Sequence, residues 1–143
     1  MLTKIHHVGI VVRSIDAAYA FYRDTLGLPV HKADIIQDQG VKAALLTLGE
    51  SEIELLEPIA SGTGIARFLE QRGEGMHHLC FATDDVHREL TVAKARGLAV
   101  IDQQPRQGLA GLICFLHPKA SHGVLIEYAQ PPLTSHAIAS SFA

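Results

Sequence analysis

The chain states one pattern twice. Ile5-His6-His7-Val8-Gly9-Ile10 returns 71 residues later as Met76-His77-His78-Leu79-Cys80-Phe81, and each copy leads through a turn into a helix-patterned stretch that stops at Gly27-Leu28 or Gly97-Leu98. Ile53-Glu54-Leu55-Leu56-Glu57-Pro58 returns in the same order, at nearly the same separation, as Ile126-Glu127-Tyr128-Ala129-Gln130-Pro131. A duplicated unit brings equivalent positions to a shared cleft by symmetry. Each half opens on a histidine in an apolar strand and closes on a glutamate in another. Two halves therefore supply two His and two Glu, donor types that suit a divalent ion.

The local signals repeat as well. Ile5 to Val12 is β-rich, and alternation places His7, Gly9 and Val11 on one face and His6, Val8 and Ile10 on the other. Ser14 caps a helix with apolar positions Ile15, Ala18, Tyr19, Phe21, Tyr22 and Leu26, and Gly27 ends it. Leu28 to Ile36 holds a strand, and Val41 to Leu48 and Glu52 to Leu56 form a hairpin across Gly49-Glu50-Ser51. In the second half, Leu79 to Thr83 is a strand and Asp85 caps a helix with a Val86, Leu90, Ala93 stripe. Strands follow near Leu98 to Asp102, Leu112 to Leu116 and Gly123 to Tyr128. The expectation is an α+β fold of two β-α-β-β-β modules, about 4–58 and 75–132, joined by a bridge at 59–74 that contains the amphipathic Ile65 to Arg72. A module of roughly 70 residues is marginal alone, so both share one domain, 1–143. The tail 133–143 is small and polar enough to fray.

Composition narrows the partners. An apolar fraction of 48% with 19% charged residues describes a folded soluble protein, and a net charge of −3 without a basic stripe excludes nucleic acid as a partner. No apolar run reaches the roughly 18 residues a membrane helix needs. The first strand begins within a few residues of Met1, which leaves no room for a targeting peptide, so the expected location is the cytoplasm. Cys80 and Cys114 lie in apolar strand-like runs and read as buried thiols.

A single strand histidine is usually structural, and a single strand glutamate usually faces water. That reading weakens when His7, Glu54, His78 and Glu127 occupy matched positions of a repeat, each with apolar neighbours. A carboxylate buried among apolar residues is costly unless paired or bound to metal, and Glu127, inside Gly123-Val124-Leu125-Ile126-Glu127-Tyr128, is the least comfortable of the set. Mixed imidazole and carboxylate ligation suits Zn²⁺, Co²⁺, Mn²⁺, Ni²⁺ or Fe²⁺. By alternation His6 and His77 point away from the ligand face and read as structural. His117, in Phe115-Leu116-His117-Pro118-Lys119, stabilises a turn, and His31, His87, His122 and His136 have no supporting context.

These residues resemble the vicinal oxygen chelate superfamily, and within it the methylmalonyl-CoA epimerase family. The superfamily pattern is His7-Val8-Gly9-Ile10-Val11-Val12 with Phe21-Tyr22-Arg23-Asp24-Thr25-Leu26-Gly27-Leu28. The epimerase-like features are Glu54-Leu55-Leu56-Glu57-Pro58, Gly75-Met76-His77-His78-Leu79-Cys80-Phe81, and Phe115-Leu116-His117-Pro118-Lys119 with Gly123-Val124-Leu125-Ile126-Glu127. The resemblance implies a cupped, partly open barrel-like sheet around a divalent metal held by His7, Glu54, His78 and Glu127. It also implies interconversion of (2R)- and (2S)-methylmalonyl-CoA through a metal-stabilised enolate, with Glu127 as the catalytic carboxylate. Some members carry a second glutamate where this chain has Ala43, which cannot transfer a proton. Lys119, Arg106 and Arg72 are candidate phosphate contacts for an acyl-CoA. A homodimer is expected because cupped sheets leave edges and apolar faces that pair. The rival within the superfamily is a lactoylglutathione lyase of the glyoxalase I type, which would use the same ligand types. A drug-binding resistance protein of this fold would need no such ligands.

Overall fold

The structure, a computed structural model, describes residues 1–132; the tail 133–143, with His136, lies outside the described residues. Eight strands form one sheet in the order β2-β3-β4-β1-β5-β8-β7-β6. They are β1 (Leu2–Val11), β2 (Val30–Ile36), β3 (Val41–Leu48), β4 (Ser51–Pro58), β5 (Gly75–Thr83), β6 (Arg106–Gly108), β7 (Gly111–Leu116) and β8 (Ile126–Gln130). The order reads identically outward from the β1·β5 seam. β1 pairs parallel with β4 as β5 does with β8, and β1 and β5 pair antiparallel with each other.

Helices cover the outer face. Helix α1 (Ile15–Tyr19) starts where Ser14 Oγ accepts from the Ala17 amide at 3.1 Å, and buries Ile15 against Ala44, Leu46 and Leu55. Helix α3 (Val86–Ala95) starts at Asp85 and packs Val86 and Leu90 on Cys114, and Ala93 on Leu116 and Ile126. Helix α2 (Gly64–Arg72), capped by Thr63, bridges the halves. Strand alternation then turns the other residues inward: Val41, Ala43 and Leu45 on β3, Leu56 on β4, and Ile113 and Phe115 on β7. The sheet curls until its two ends meet. Leu109, after β6, packs against the β3 cluster, and Lys32 Nζ on edge strand β2 donates to the Leu109 carbonyl at 3.3 Å. The result is a nearly closed, barrel-like cup.

Two local departures have physical causes. The strand expected near Leu98 to Asp102 is reduced to one bridge, Val100 to Leu116, and the paired strand is β6 further on. Asp102 ends the ladder by turning its carboxylate to accept the Phe115 amide at 2.8 Å and Arg106 Nε at 2.9 Å. The first helix widens into a π-helical turn over Ala20–Thr25, with the Leu26 amide donating to the Phe21 carbonyl and Thr25 Oγ1 to that of Ala20.

Candidate metal and active site

The four central strands each bring one polar side chain to a common centre: Glu54 from β4, His7 from β1, His78 from β5 and Glu127 from β8. The register is twofold. Glu54 lies opposite Gly9 on β1, and Glu127 lies opposite Cys80, the equivalent position on β5. All four are buried, from 1% exposed for His7 to 7% for Glu54. The two Nε2 atoms stand 3.0 Å apart. Glu54 Oε1 is 3.4 Å from His7 Nε2 and 3.3 Å from His78 Nε2; Glu127 Oε1 is 2.9 and 3.4 Å from the same atoms.

These spacings suit a shared ion. Donors about 2.1 Å from a metal stand about 3.0 Å apart at a right angle and about 3.4 Å apart at the tetrahedral angle. Glu127 Oε1 is buried beside both Nε2 atoms but, among the described residues, makes no well-aligned hydrogen bond, a costly state for a carboxylate oxygen that metal ligation would remove. The donor set and the orphaned oxygen fit a divalent ion.

The cluster also polarises itself. Burial alone would raise both carboxyls, but His7 and His78 outweigh it and hold Glu54 and Glu127 below the usual carboxylate range. Burial likewise works against the charged imidazoles. It is overcome at His7, which rises well above its ordinary value beside Cys80, Glu127 and Glu54, and at His78, which Glu127 and Glu54 raise to about 9. His6, His7 and Cys80 form a second compact group, in which burial pushes the Cys80 thiol up. Cys80 and Cys114 are both free and fully buried.

His6 and His77 do not turn away as strand alternation requires. The β1·β5 pairing is irregular at three places, and two of them fall at the histidines: Ile5 faces Phe81 while His7 faces Cys80, and Gly9 faces His78 while Ile10 faces Met76. Each bulge adds a histidine and re-aims its ring toward the ligand after it. His77 lines the cavity in front of the site, where burial and His78 push its pKa down to about 4. His117 does act in a turn, its Nδ1 accepting from the Lys119 amide at 3.0 Å. His31 meets Glu52 at 3.0 Å.

The cavity measures about 500 Å³, with Glu54, His78 and Glu127 in its wall and a largely apolar remainder that includes Val41, Ile65 and Leu109. Among its polar and aromatic wall residues Gln39 carried no sequence signal, whereas Phe115 lies in one of the epimerase-like motifs and Arg106 is a candidate phosphate contact. Gln39, at the end of the turn before β3, has a buried Nε2 with no partner. Phe115 and His78 meet edge to face, with centroids 5.5 Å apart, and Arg106 lies over Phe115. Of the other candidate phosphate contacts, Arg72 lies over Phe68 and Lys119 sits on the turn after β7. Ala43 is inward and fully buried, closed in by Leu56 and Leu109.

A cupped sheet of paired modules with two His and two Glu at its seam defines a member of a metal-site scaffold family. Residues 6–115 match the model of the glyoxalase/bleomycin resistance protein/dioxygenase superfamily, and the chain belongs to it. An ethylmalonyl-CoA/methylmalonyl-CoA epimerase from Cereibacter sphaeroides is 38% identical over 91% of this chain and 99% of its own. A variant of the Streptomyces coelicolor methylmalonyl-CoA epimerase, in complex with 2-nitronate-propionyl-CoA, superposes with a TM-score of 0.89 at 37% identity, covering 93% of this chain and all of that one. A methylmalonyl-CoA epimerase in complex with methylmalonyl-CoA and NH4+ gives 0.86 at 37% identity, covering 92% of this chain and all of that one.

Proposed function

We propose that the protein is a metal-dependent epimerase that interconverts (2R)- and (2S)-methylmalonyl-CoA, an isomerase of a CoA thioester. The convergence of His7, Glu54, His78 and Glu127 at the head of an acyl-sized cavity carries this reading, and full-length similarity to epimerases supports it. The bound ion would supply Lewis-acid stabilisation of negative charge developing on substrate oxygens.

The chain's own residues do the rest. Glu127 lines the cavity beside the donor cluster; it takes the proton α to the thioester carbonyl and, as the protonated acid, gives it back to the planar α-carbon on the other face. Glu54, in the equivalent place, completes the donor set. Ala43 offers no proton-transfer group from β3, which leaves Glu127 as the proposed acid–base carboxylate. The apolar wall excludes water from the carbanion-like centre and strengthens the electrostatic contacts around it.

No helix of the described chain is long and apolar enough to cross a membrane. Two buried free thiols accord with a reducing compartment, and the cytoplasm remains the proposed location. The exposed side chains along β2 support the proposed homodimer.

The test is deuterium incorporation at the α-carbon of methylmalonyl-CoA in D₂O by Co²⁺-loaded protein. Exchange that needs both metal and Glu127 is expected. Absence of exchange, with isomerisation of a glutathione hemithioacetal instead, would transfer the site to the lyase reading.

A further inference from the structure

Each presumptive ligand histidine offers Nε2 to the centre and has its other ring nitrogen engaged. His7 Nδ1 lies 2.8 Å from His6 Nδ1, and His78 Nδ1 lies 2.9 Å from His77 Nδ1. The rings meet edge to face, at 81° and 88°. Successive strand residues cannot meet in this way without the two bulges, so the backbone is distorted at both places where a histidine precedes a ligand. One such contact would be an accident of packing. Two, at equivalent positions of a duplicated sheet, are a repeated device.

An N–H···N bond needs one proton between its nitrogens. A neutral imidazole that ligates through Nε2 carries its proton on Nδ1, so His7 and His78 must donate. The preceding histidine must then accept on a bare Nδ1 and carry its own proton on Nε2. We propose that His6 and His77 are positioning residues, each accepting the Nδ1–H of the following histidine and holding that ring in the tautomer and rotamer that turns Nε2 to the metal. The proposal rests on the metal reading above. It assigns to a second histidine the orienting role that a carboxylate or backbone carbonyl commonly plays behind a metal-bound imidazole.

The two dyads differ behind the first contact. His6 Nε2 points toward Glu52, 3.9 Å from Oε1, and the other Glu52 oxygen meets His31 at 3.0 Å. Among the described residues no carboxylate pairs with His77; its ring lies against Phe68, with centroids 5.1 Å apart, and borders the cavity. A carboxylate thus lies 3.9 Å beyond the outer edge of His6, whereas the outer edge of His77 meets whatever fills the cavity.

Two measurements test this independently. The first is ¹⁵N NMR of the metal-free wild-type protein, labelled at histidine. Unprotonated Nδ1 in His6 and His77, each coupled through a hydrogen bond to Nδ1 of the next residue, is expected. Protonated Nδ1 in His6 and His77, or no coupling, would overturn the proposal. The second is Co²⁺ affinity by chelator competition. His6→Phe and His77→Phe each remove the acceptor and should weaken Co²⁺ binding about 10–100-fold. His6→Asn, which returns an acceptor oxygen near the lost Nδ1, should recover most of that loss. Wild-type affinity in a folded His6→Phe, or equal losses in Phe and Asn variants, would refute it. Should the wild type bind no Co²⁺, the metal reading falls and the NMR result still decides the dyads; the same measurement decides if His6→Phe fails to fold.

Discussion

Gly9→Ala is the sharpest perturbation the structure offers. Gly9 pairs with His78 across the β1·β5 seam, and a β-carbon at Gly9 would fall inside the His78 imidazole. The ring cannot simply swing away. Its Nδ1 is engaged by His77, its edge meets Phe115, and its Nε2 lies 3.0 Å from His7 Nε2. Placing a methyl group in a filled site costs about 1–3 kcal/mol. At about 2–4 °C per kcal/mol for a chain of this size, melting should fall by roughly 3–10 °C. The functional loss should be larger. Outer partners of a ligand are worth about 10–100-fold in metal affinity, so displacing the ligand itself should cost more than about 100-fold. Gly75→Ala is the control, because Gly75 is on the same strand as His78, with ordinary φ and nothing within 4 Å of an added β-carbon. Thermal denaturation and Co²⁺ titration of both variants decide the matter. Unchanged melting and Co²⁺ affinity in Gly9→Ala would show that His78 does not lie over Gly9, and the proposed ligand geometry would be wrong.

Glu127→Gln keeps an amide oxygen for ligation and loses the base, so α-proton exchange should drop by about 10²–10⁴-fold while metal content is largely kept; both are measured on one preparation, and full exchange would place the base elsewhere. Gln39→Leu removes a buried amide nitrogen without a partner and should raise stability by about 1 kcal/mol in thermal denaturation while weakening acyl-CoA binding; a lower melting temperature would refute the assignment. Metal affinity should rise with pH toward about 9, because His78 is protonated below that value in the metal-free cluster and must lose its proton to ligate. Below that pH each unit should cost up to about tenfold per proton displaced, and calorimetry showing no proton release would contradict it.

The two repeated modules were legible through the duplication. Two copies of an apolar strand bearing His-His, each followed later by a strand bearing Glu, require equivalent neighbours. The sheet supplies them as β4-β1 and β5-β8 about a common seam. Capping at Ser14 and Asp85 was readable because the side-chain oxygen and the amide it accepts are three residues apart. The bulges were not readable. Alternation sends His6 away from His7, and only the pairing partner reveals the extra residue that reverses it. The short β6 was hidden for a related reason, since Asp102 ends the earlier bridge by a bond to the Phe115 amide, thirteen positions away. Gln39 gave no signal either, because its significance lies in a missing partner, which is a property of packing.

The duplication is most informative where it fails. Gly9 and Cys80 are equivalent, yet one is reduced to a hydrogen beneath His78 and the other places a thiol beside His7. The ligand cluster remains close to twofold because both histidines must reach one centre. The cavity wall does not: the first half contributes Gln39 and the second contributes Arg106, Leu109 and Phe115. An ion needs only matched donors, whereas a thioester with a carboxylate at one end and a long acyl carrier at the other needs unlike walls. Symmetry inherited from the repeat therefore accounts for the proposed centre, and its loss in the surrounding loops supplies the unlike walls that the proposed substrate, placed in one orientation over Glu127, would need.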